Sequence, residues 1–186
     1  MKLRVVSGTL KGRVVTVPPR DAVFRPTRER VREGVADILS SRIAGAVVAD
    51  VCAGSGIFGF EMISRGAQRV VFVENDQFRC RLIREHAERF GVEKACRIVA
   101  KEIQAFVDCC NDRFDIVFCD PPYDDYQAAE KVPSLFRLLV KGGILIHERR
   151  AVKGKQPQQP IVGVPQPFDR RIYGETEICL FTTTEG

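Results

Sequence analysis

The stretch Asp50-Val51-Cys52-Ala53-Gly54-Ser55-Gly56-Ile57-Phe58-Gly59 overlaps the end of an apolar, β-branched run over residues 46–51. Gly54, Gly56 and Gly59 fit the pattern G-x-G-x-x-G, and Glu74 lies twenty residues after Gly54. Between a strand and a helix, such glycines permit a tight turn and close backbone approach, while the acid can accept both hydroxyls of a ribose. The stretch predicts an α/β fold with a nucleoside-binding loop; a tight turn that binds no ligand is the alternative.

Strand-like and helical patterns alternate after this loop. The predicted strands cover residues 46–51, 69–74, 95–99, 114–119 and 143–148, and the predicted helices cover 57–65, 77–90, 103–110 and 126–139. Such alternation is typical of a doubly wound, mostly parallel sheet. Residues 170–173 and 177–182 read as two strands with no helix between them. We therefore expect a seven-stranded sheet that finishes in an antiparallel strand pair.

The N-terminal quarter differs from the rest in structure and charge. Residues 3–7 and 13–17 predict a β-hairpin, and a helix is expected after Thr27, which suits the N-cap position. Residues 1–42 hold ten Lys and Arg against four Asp and Glu, whereas the remainder holds nineteen against twenty. We therefore divide the chain into a basic extension, 1–42, and a body, 43–186. A polyanion such as nucleic acid is the simplest partner, and a solvated basic surface is the alternative.

Composition excludes several classes of protein. No apolar run among the 186 residues approaches the ~20 that a membrane helix needs. The stretch Met1–Gly8 breaks too early for a signal peptide, and seven cysteines, an odd number, favour reduced thiols; we expect a cytoplasmic location. No metal site is expected, because there is no Cys-x-x-Cys pair and His86 is far from His147 in sequence. No long apolar surface element demands a partner, so a monomer is expected.

Acidic residues identify the class of nucleoside ligand. Asp50, Glu74, Glu102 and Asp120 are all expected at the carboxyl ends of parallel strands, and thus at one edge of the sheet. Four carboxylates suit a cationic ligand better than the pyrophosphate of a dinucleotide. S-adenosylmethionine carries a sulfonium and an ammonium group and satisfies this argument, whereas NAD does not. For each acid, a capped turn or a surface charge is the alternative.

A second motif, Asp120-Pro121-Pro122-Tyr123, directly follows the predicted strand 114–119. It places a carboxylate, two rigid prolines and an aromatic ring where ligands bind in open α/β sheets. That combination can hold a flat, amine-bearing ring by its edge and its face. A rigid Pro-Pro turn is the alternative. We expect Cys52 and Cys119 to be buried structural thiols, and His147 to be a polar residue near a strand end rather than a base.

The chain resembles the Rossmann-like S-adenosylmethionine-dependent methyltransferases that modify amines. The residues that carry this resemblance are, in chain order, Asp50, Gly54-Ser55-Gly56, Glu74 and Asp120-Pro121-Pro122-Tyr123. More narrowly, the chain resembles the bacterial methyltransferases that modify the exocyclic N2 amine of a guanine in 16S ribosomal RNA. The stretches that carry this narrower resemblance are Arg4-Val5-Val6-Ser7-Gly8, Lys11-Gly12-Arg13, Arg25-Pro26-Thr27, Arg30-Val31-Arg32-Glu33, Ala53-Gly54-Ser55-Gly56 and Tyr173-Gly174-Glu175-Thr176. The resemblance covers nearly the whole chain.

The resemblance implies a role for each group of residues. Asp120, Pro121, Pro122 and Tyr123 would be catalytic. The cofactor S-adenosylmethionine would be bound by Thr27, Asp50, Ala53, Gly54, Ser55, Gly56, Glu74, Asn75, Glu102, Ile103 and Asp120. Ribosomal RNA, alone or in an assembling small subunit, would be contacted by Arg4, Lys11, Arg13, Arg25, Arg30 and Arg32. One departure concerns the pair Glu102-Ile103, since the family often has an acid or amide followed by Ala there.

Three other functions stay open at this point. A DNA adenine methyltransferase shares the Asp-Pro-Pro-Tyr motif, but this chain shows no obvious separate target-recognition region. A non-catalytic RNA assembly factor that binds S-adenosylmethionine would not need an intact motif. A nicotinamide oxidoreductase would share the glycine loop, but the acids argue against it.

Overall fold

The computed structural model describes residues 1–17, 29–122, 125–151 and 165–183. In chain order the strands are β1 (Lys2–Arg4), β2 (Val14–Thr16), β3 (Val47–Val51), β4 (Arg69–Val73), β5 (Cys96–Val99), β6 (Phe114–Cys119), β7 (Leu139–Arg150), β8 (Asp169–Tyr173) and β9 (Thr176–Thr182). The helices are α1 (Glu29–Ile38), α2 (Ser40–Ile43), α3 (Ile57–Ser64), α4 (Gln77–Phe90), α5 (Ile103–Cys109) and α6 (Tyr126–Lys131). Short 3-10 helices cover Glu93–Ala95 and Val132–Leu138.

Strands β3 to β9 form a seven-stranded sheet in the order β5-β4-β3-β6-β7-β9-β8. The pairs among β3 to β7 are parallel, whereas β9 runs antiparallel to both β7 and β8. The chain moves outward from β3 to β5 on one side and then crosses back to β6 on the other. The carboxyl ends of β3 and β6 therefore meet at the switch point, where open α/β sheets bind ligands. The predicted fold is confirmed.

The predicted elements that follow β6 differ most from the structure. The predicted helix 126–139 is instead α6 followed by a 3-10 helix, with Pro133 at the start of the second segment. Proline has no N–H to donate and its ring obstructs the preceding turn, so the α-helix does not continue. The predicted strand 143–148 extends over Leu139–Arg150, because Leu139 pairs with Phe114 of β6 and β9 pairs with the strand from Ile144 out to Arg150.

The basic extension shares a core with the body. One face of the sheet packs against the hairpin, α1, α3 and α4, and the other packs against α5 and the segment 132–139. Val5, Val15 and Val35 are fully buried in the same cluster as Val48 and Phe72 of the sheet. The predicted division near residue 42 therefore does not separate two cores.

Polar side chains of α3 and α4 fasten the hairpin to the body. The buried Glu61 accepts a hydrogen bond from Val6 N at 2.9 Å, and Ser64 Oγ accepts one from Leu10 N at 2.8 Å. On α4, His86 Nε2 accepts a hydrogen bond from Thr16 N at 3.0 Å. These contacts join residues more than fifty positions apart in sequence, so tertiary structure alone positions the hairpin.

Gly8, in the turn of the hairpin, provides a test of this docking. Gly8 and Gly12 both have left-handed backbones, with φ of 78° and 83°. A Cβ on Gly8 would lie 1.8 Å from Ser64 O, whereas a Cβ on Gly12 would meet nothing within 4 Å. We expect Gly12→Ala to cost about 1–2 kcal/mol for its backbone conformation. Gly8→Ala should cost a further ~2 kcal/mol or more for the clash.

Chemical unfolding of both variants measures the difference. Because Gly12→Ala has the same backbone penalty without the clash, it isolates the docking contribution. Equal losses in the two variants would contradict the docked position of the hairpin.

Candidate active site at the switch point of the sheet

The glycine loop follows β3 directly and leads into α3. Asp50, the fourth residue of β3, accepts a hydrogen bond from Gly59 N at 3.0 Å and so ties the strand to the first turn of the helix. Gly56, which precedes α3, has a left-handed φ of 74°, and a Cβ there would lie 3.1–3.3 Å from Ile83, Phe72 and Phe60. Position 56 therefore favours glycine for two reasons: the backbone is left-handed, and a Cβ would crowd the neighbouring side chains.

Glu74 joins the end of β4 to this loop. Its Oε2 accepts a hydrogen bond from Gly54 N at 2.7 Å, and its Oε1 accepts one from Asp76 N at 3.0 Å. The side chain is buried, and the guanidinium of Arg79 lies 3.8 Å from Oε1. Backbone donors thus hold both carboxylate oxygens in place. Each oxygen retains a lone pair that could accept a ligand hydroxyl.

Burial raises the pKa of Asp50 to about 8; the nearby charge of Glu74 adds to this, and the hydrogen bond from Gly59 opposes it. At neutral pH the Asp50 carboxyl therefore holds its proton. A cation that entered the site would favour the ionised form. The buried acids Asp50 and Glu74 accordingly fit a positively charged ligand better than an anion.

The Asp120-Pro121-Pro122 segment begins where β6 ends. Asp120 N donates a hydrogen bond to Val51 O at 3.3 Å, across the β3–β6 pair. Pro121 is buried and Pro122 is exposed, and Pro122 O accepts a hydrogen bond from Asp125 N at 2.9 Å. Asp125 in turn accepts a hydrogen bond from Ala128 N and caps α6. Hydrogen bonds thus anchor Asp120 and Pro122, while Tyr123 lies outside the described residues.

The remaining predicted cofactor residues divide into three groups. Ala53 and Ser55 lie in the glycine loop, and Ser55 is buried. Asn75 and Glu102 are exposed after β4 and β5, the two strands next to β3 on one side. Ile103 is buried in the core on the α5 face of the sheet, and Thr27 lies outside the described residues.

The predicted RNA contacts also divide into groups. Arg4, Lys11, Arg13 and Arg30 are exposed, and Arg25 lies outside the described residues. Arg32 is only 1% exposed, and its Nη2 donates a hydrogen bond to Arg4 O at 3.1 Å. The prediction that Arg32 contacts RNA phosphates was therefore wrong, because its guanidinium lies inside the contact between α1 and the hairpin.

An aromatic contact beneath the site was not predicted. The rings of Phe58, on α3, and Phe118, on β6, stack with centroids 3.8 Å apart. This contact braces the strand that carries Asp120 against the helix that follows the glycine loop. The sequence signal was weak, because each ring lies within an apolar run and reads as ordinary core.

The Cys119 thiol, at the end of β6, is not an activated nucleophile. A hydrogen bond with Cys52 is the largest cause that raises the pKa of Cys119 well above its usual value, and burial adds to it. Cys119 is therefore a buried structural thiol, as predicted, whereas Cys52 is only partly buried. Within the described ranges, no group of His, Cys, Asp and Glu could hold a metal ion, and no helix is long and apolar enough to cross a membrane.

His147 lies inside β7, three residues before its end, and not at the strand end as predicted. Its register partners are Cys119 on β6 and Cys179 on β9, and its ring nitrogens have no hydrogen-bond partner in the described part of the chain. Burial lowers the pKa of His147 to about 4. A neutral imidazole in this environment is a core residue and not a base.

This histidine should make the fold sensitive to acid. The unfolded chain takes up the proton near pH 6.5, whereas the folded chain takes it up only near pH 4. The contribution of His147 to the free energy of unfolding should therefore fall by about 3 kcal/mol between those values, whereas Asp50, whose pKa is raised to about 8, contributes in the opposite direction. His147→Leu should remove that slope, as measured by urea unfolding from pH 7 to pH 4. The prediction would be contradicted if the free energy of unfolding changed between pH 7 and pH 4 by the same amount in His147→Leu as in the wild type.

Several known proteins are similar to this chain in sequence or in structure. Ribosomal RNA small subunit methyltransferase D of Haemophilus influenzae is 31% identical over 137 residues, which cover 72% of this chain and 70% of that one. The protein of the same name from Escherichia coli K12 is 31% identical, over 66% of this chain and 61% of that one. Among solved structures, hypothetical protein TTHA0928 of Thermus thermophilus superposes with a TM-score of 0.78 at 29% identity, over 97% and 99% of the two chains.

A family model extends this similarity over almost the whole chain. It matches residues 3–182, which include the hairpin, the glycine loop, the Asp-Pro-Pro-Tyr motif and the final strand pair. The chain therefore belongs to the family described as "Conserved hypothetical protein 95".

Proposed function

We propose that this protein transfers a methyl group from S-adenosylmethionine to the exocyclic N2 amine of a guanine in 16S ribosomal RNA. The observation that carries the proposal is the hydrogen bond from Asp120 N to Val51 O. Through this bond Asp120 lies beside the end of β3, the strand that leads into the glycine loop. The names of the related small-subunit methyltransferases support ribosomal RNA as the substrate class.

The residues at the switch point fit the cofactor. Backbone hydrogen bonds orient Glu74 beside Gly54, where its carboxylate can accept the ribose hydroxyls. Asp50 and Glu74 are buried acids, and a ligand that carries a sulfonium and an ammonium group would favour the ionised form of Asp50. When bound, S-adenosylmethionine supplies an electrophilic methyl group.

The Asp-Pro-Pro-Tyr motif would prepare the nucleophile. An exocyclic amine on an aromatic ring is a poor nucleophile because its lone pair is delocalised into the ring. Hydrogen bonds from this amine to the Asp120 carboxylate and the Pro121 carbonyl would orient it and reduce that delocalisation. Tyr123 would stack on the base, a contact worth ~1–3 kcal/mol. Positioning then supplies much of the rate enhancement, and the proton leaves to solvent after methyl transfer.

The target base has to leave any helix to reach the end of β6. Enzymes that modify bases therefore flip the nucleotide out or act on single strands. The basic extension would hold the surrounding RNA, as the exposed Arg4, Lys11 and Arg13 of the hairpin suggest.

Mass spectrometry of ribosomal RNA tests the proposal directly. Cells that lack this protein should lose one N2-methylguanine from 16S ribosomal RNA, and the purified protein should restore it. An unchanged methylation map would contradict the proposal. Transfer of labelled methyl groups to duplex DNA in place of ribosomal RNA would favour an adenine methyltransferase, which shares the Asp-Pro-Pro-Tyr motif.

A further inference from the structure

The hairpin is a basic surface without acidic residues. Residues 1–17 contain four basic side chains and no Asp or Glu. These side chains are Lys2, Arg4, Lys11 and Arg13, and all four are exposed. Since Glu61, Ser64 and His86 fasten the hairpin to α3 and α4, these charges occupy fixed positions on the body.

Helix α4 continues this surface. Arg89, near its end, donates a hydrogen bond to Val14 O of the hairpin. The guanidinium carbons of Arg13 and Arg89 lie 6.0 and 5.3 Å from the centroid of the Phe90 ring, so one aromatic ring carries two cations. Arg81 and Arg84 are exposed nearer the start of the helix. We call Arg81, Arg84, Arg89, Arg4, Lys11 and Arg13 the basic strip.

The basic strip carries an excess of positive charge. Across the described ranges, no carboxylate lies within ion-pair distance of any of its six side chains. Elsewhere, ion pairs involve Arg65, Arg69, Arg79, Arg97, Arg149, Arg170 and Arg171. Helix α4 also exposes Glu85 and Glu88, so the six cations of the strip exceed these two acids by four. A strip of exposed cations without acidic partners fits a polyanion.

The basic strip extends from the candidate active site, near Glu74, along α4 to the hairpin. Helix α4 begins at Gln77, three residues after Glu74, and its fourteen residues extend about 20 Å to Phe90 and the hairpin. That length is enough to pass several phosphates of one nucleic-acid strand. Guanidinium groups also match the geometry of phosphate oxygens, with which they form paired hydrogen bonds.

We infer that the basic strip binds the RNA backbone next to the target base, along α4 and down to the hairpin. This inference rests on the proposed function for the identity of the RNA, and it adds arginines of α4 that charge counts over residues 1–42 did not include. The RNA would therefore contact the face of the protein formed by α3, α4 and the hairpin, and not the opposite face formed by α5 and α6.

The test compares matched pairs of neutralised charges. Arg81→Gln with Arg84→Gln removes two cations from the strip without touching the hairpin contacts. Lys131→Gln with Arg137→Gln removes two exposed cations from the opposite face. Binding of each full-length variant to deproteinised 16S ribosomal RNA is measured by filter retention over a series of KCl concentrations. Thermal unfolding verifies that each variant is folded.

The strip variant should bind the RNA several-fold more weakly at moderate salt. Its slope of log affinity against log salt should be shallower by about 1.4–1.8, since each lost phosphate contact removes about 0.7–0.9. The opposite-face variant should match the wild type in both quantities. Equal slopes for the two variants would overturn the inference.

Methyl transfer by the wild-type protein separates this inference from the proposed function. RNA binding that depends on the strip, without methyl transfer to that RNA, would count against the proposed function alone. Methyl transfer with identical binding by the two variants would count against the strip alone. Binding of the wild type to anionic vesicles but not to RNA would overturn both.

Discussion

Replacing Asp120 by Ala should lower the rate constant of methyl transfer by about 100- to 1,000-fold, the loss expected when one preorganised electrostatic contact to a transition state is removed. The carboxylate is the charged acceptor for the target amine in the proposed mechanism. Its backbone position is set by the hydrogen bond from Asp120 N to Val51 O, which alanine retains. The change should therefore remove the acceptor and leave the motif in place.

Single-turnover methyl transfer to 16S ribosomal RNA measures this rate constant, and calorimetry measures cofactor affinity. Asp120→Asn should lose less, because it keeps one oxygen acceptor without the charge. Asp37→Ala removes an acid that is largely exposed on α1 and should have no effect. A loss in Asp120→Ala that came entirely from weaker cofactor binding would contradict a role in positioning the amine.

Replacing Glu74 by Ala should weaken binding of S-adenosylmethionine by roughly 100-fold or more, because a hydrogen bond to a charged group is worth about 1.5–3 kcal/mol and two ribose hydroxyls lose their acceptor. The same change should destabilise the empty protein. Gly54 N and Asp76 N both donate to this carboxylate, and the buried Gly54 N would lose its acceptor at a cost of about 1–3 kcal/mol.

Two measurements separate the effects of Glu74→Ala. Chemical unfolding without ligand reports the loss at Gly54 N, and calorimetric titration at a temperature where the variant is folded reports the affinity. Glu74→Gln retains an amide oxygen, so it should recover part of the stability and less of the affinity. Glu93→Ala removes an exposed acid at the start of the 3-10 helix before β5 and serves as the control. Unaltered affinity in Glu74→Ala would place the ribose elsewhere.

The glycine loop and its acids were predictable because their signals are local. A β-branched strand followed by closely spaced glycines permits few conformations, and Glu74 follows the next strand at the expected spacing. The structure places both at the sheet edge and adds the hydrogen bond from Gly54 N to Glu74. The roles of Tyr123 and Thr27 stay predictions, since both lie outside the described residues.

Charge patterns were less informative because they do not distinguish buried from exposed cations. Arg32 lies in a basic segment and read as a phosphate contact, yet contacts between α1 and the hairpin bury it. Burial lowers the pKa of Arg32, while Glu61 and other nearby acids oppose that shift. Arg89, in contrast, lies in the predicted helix 77–90, outside the basic extension, and its contact with Val14 O places it beside the hairpin.

The sequence by itself determined the order of strands and helices, the glycine turn at Gly54 and Gly56, and the presence of acids after successive strands. These features depend on residues close together in the chain, whose conformational preferences act locally. Only the tertiary structure decided that β3 lies beside β6, so that Asp120 N reaches Val51 O, and that the hairpin lies against α4. Such contacts join residues fifty or more positions apart, and they depend on how whole faces of the sheet and helices bury their apolar side chains.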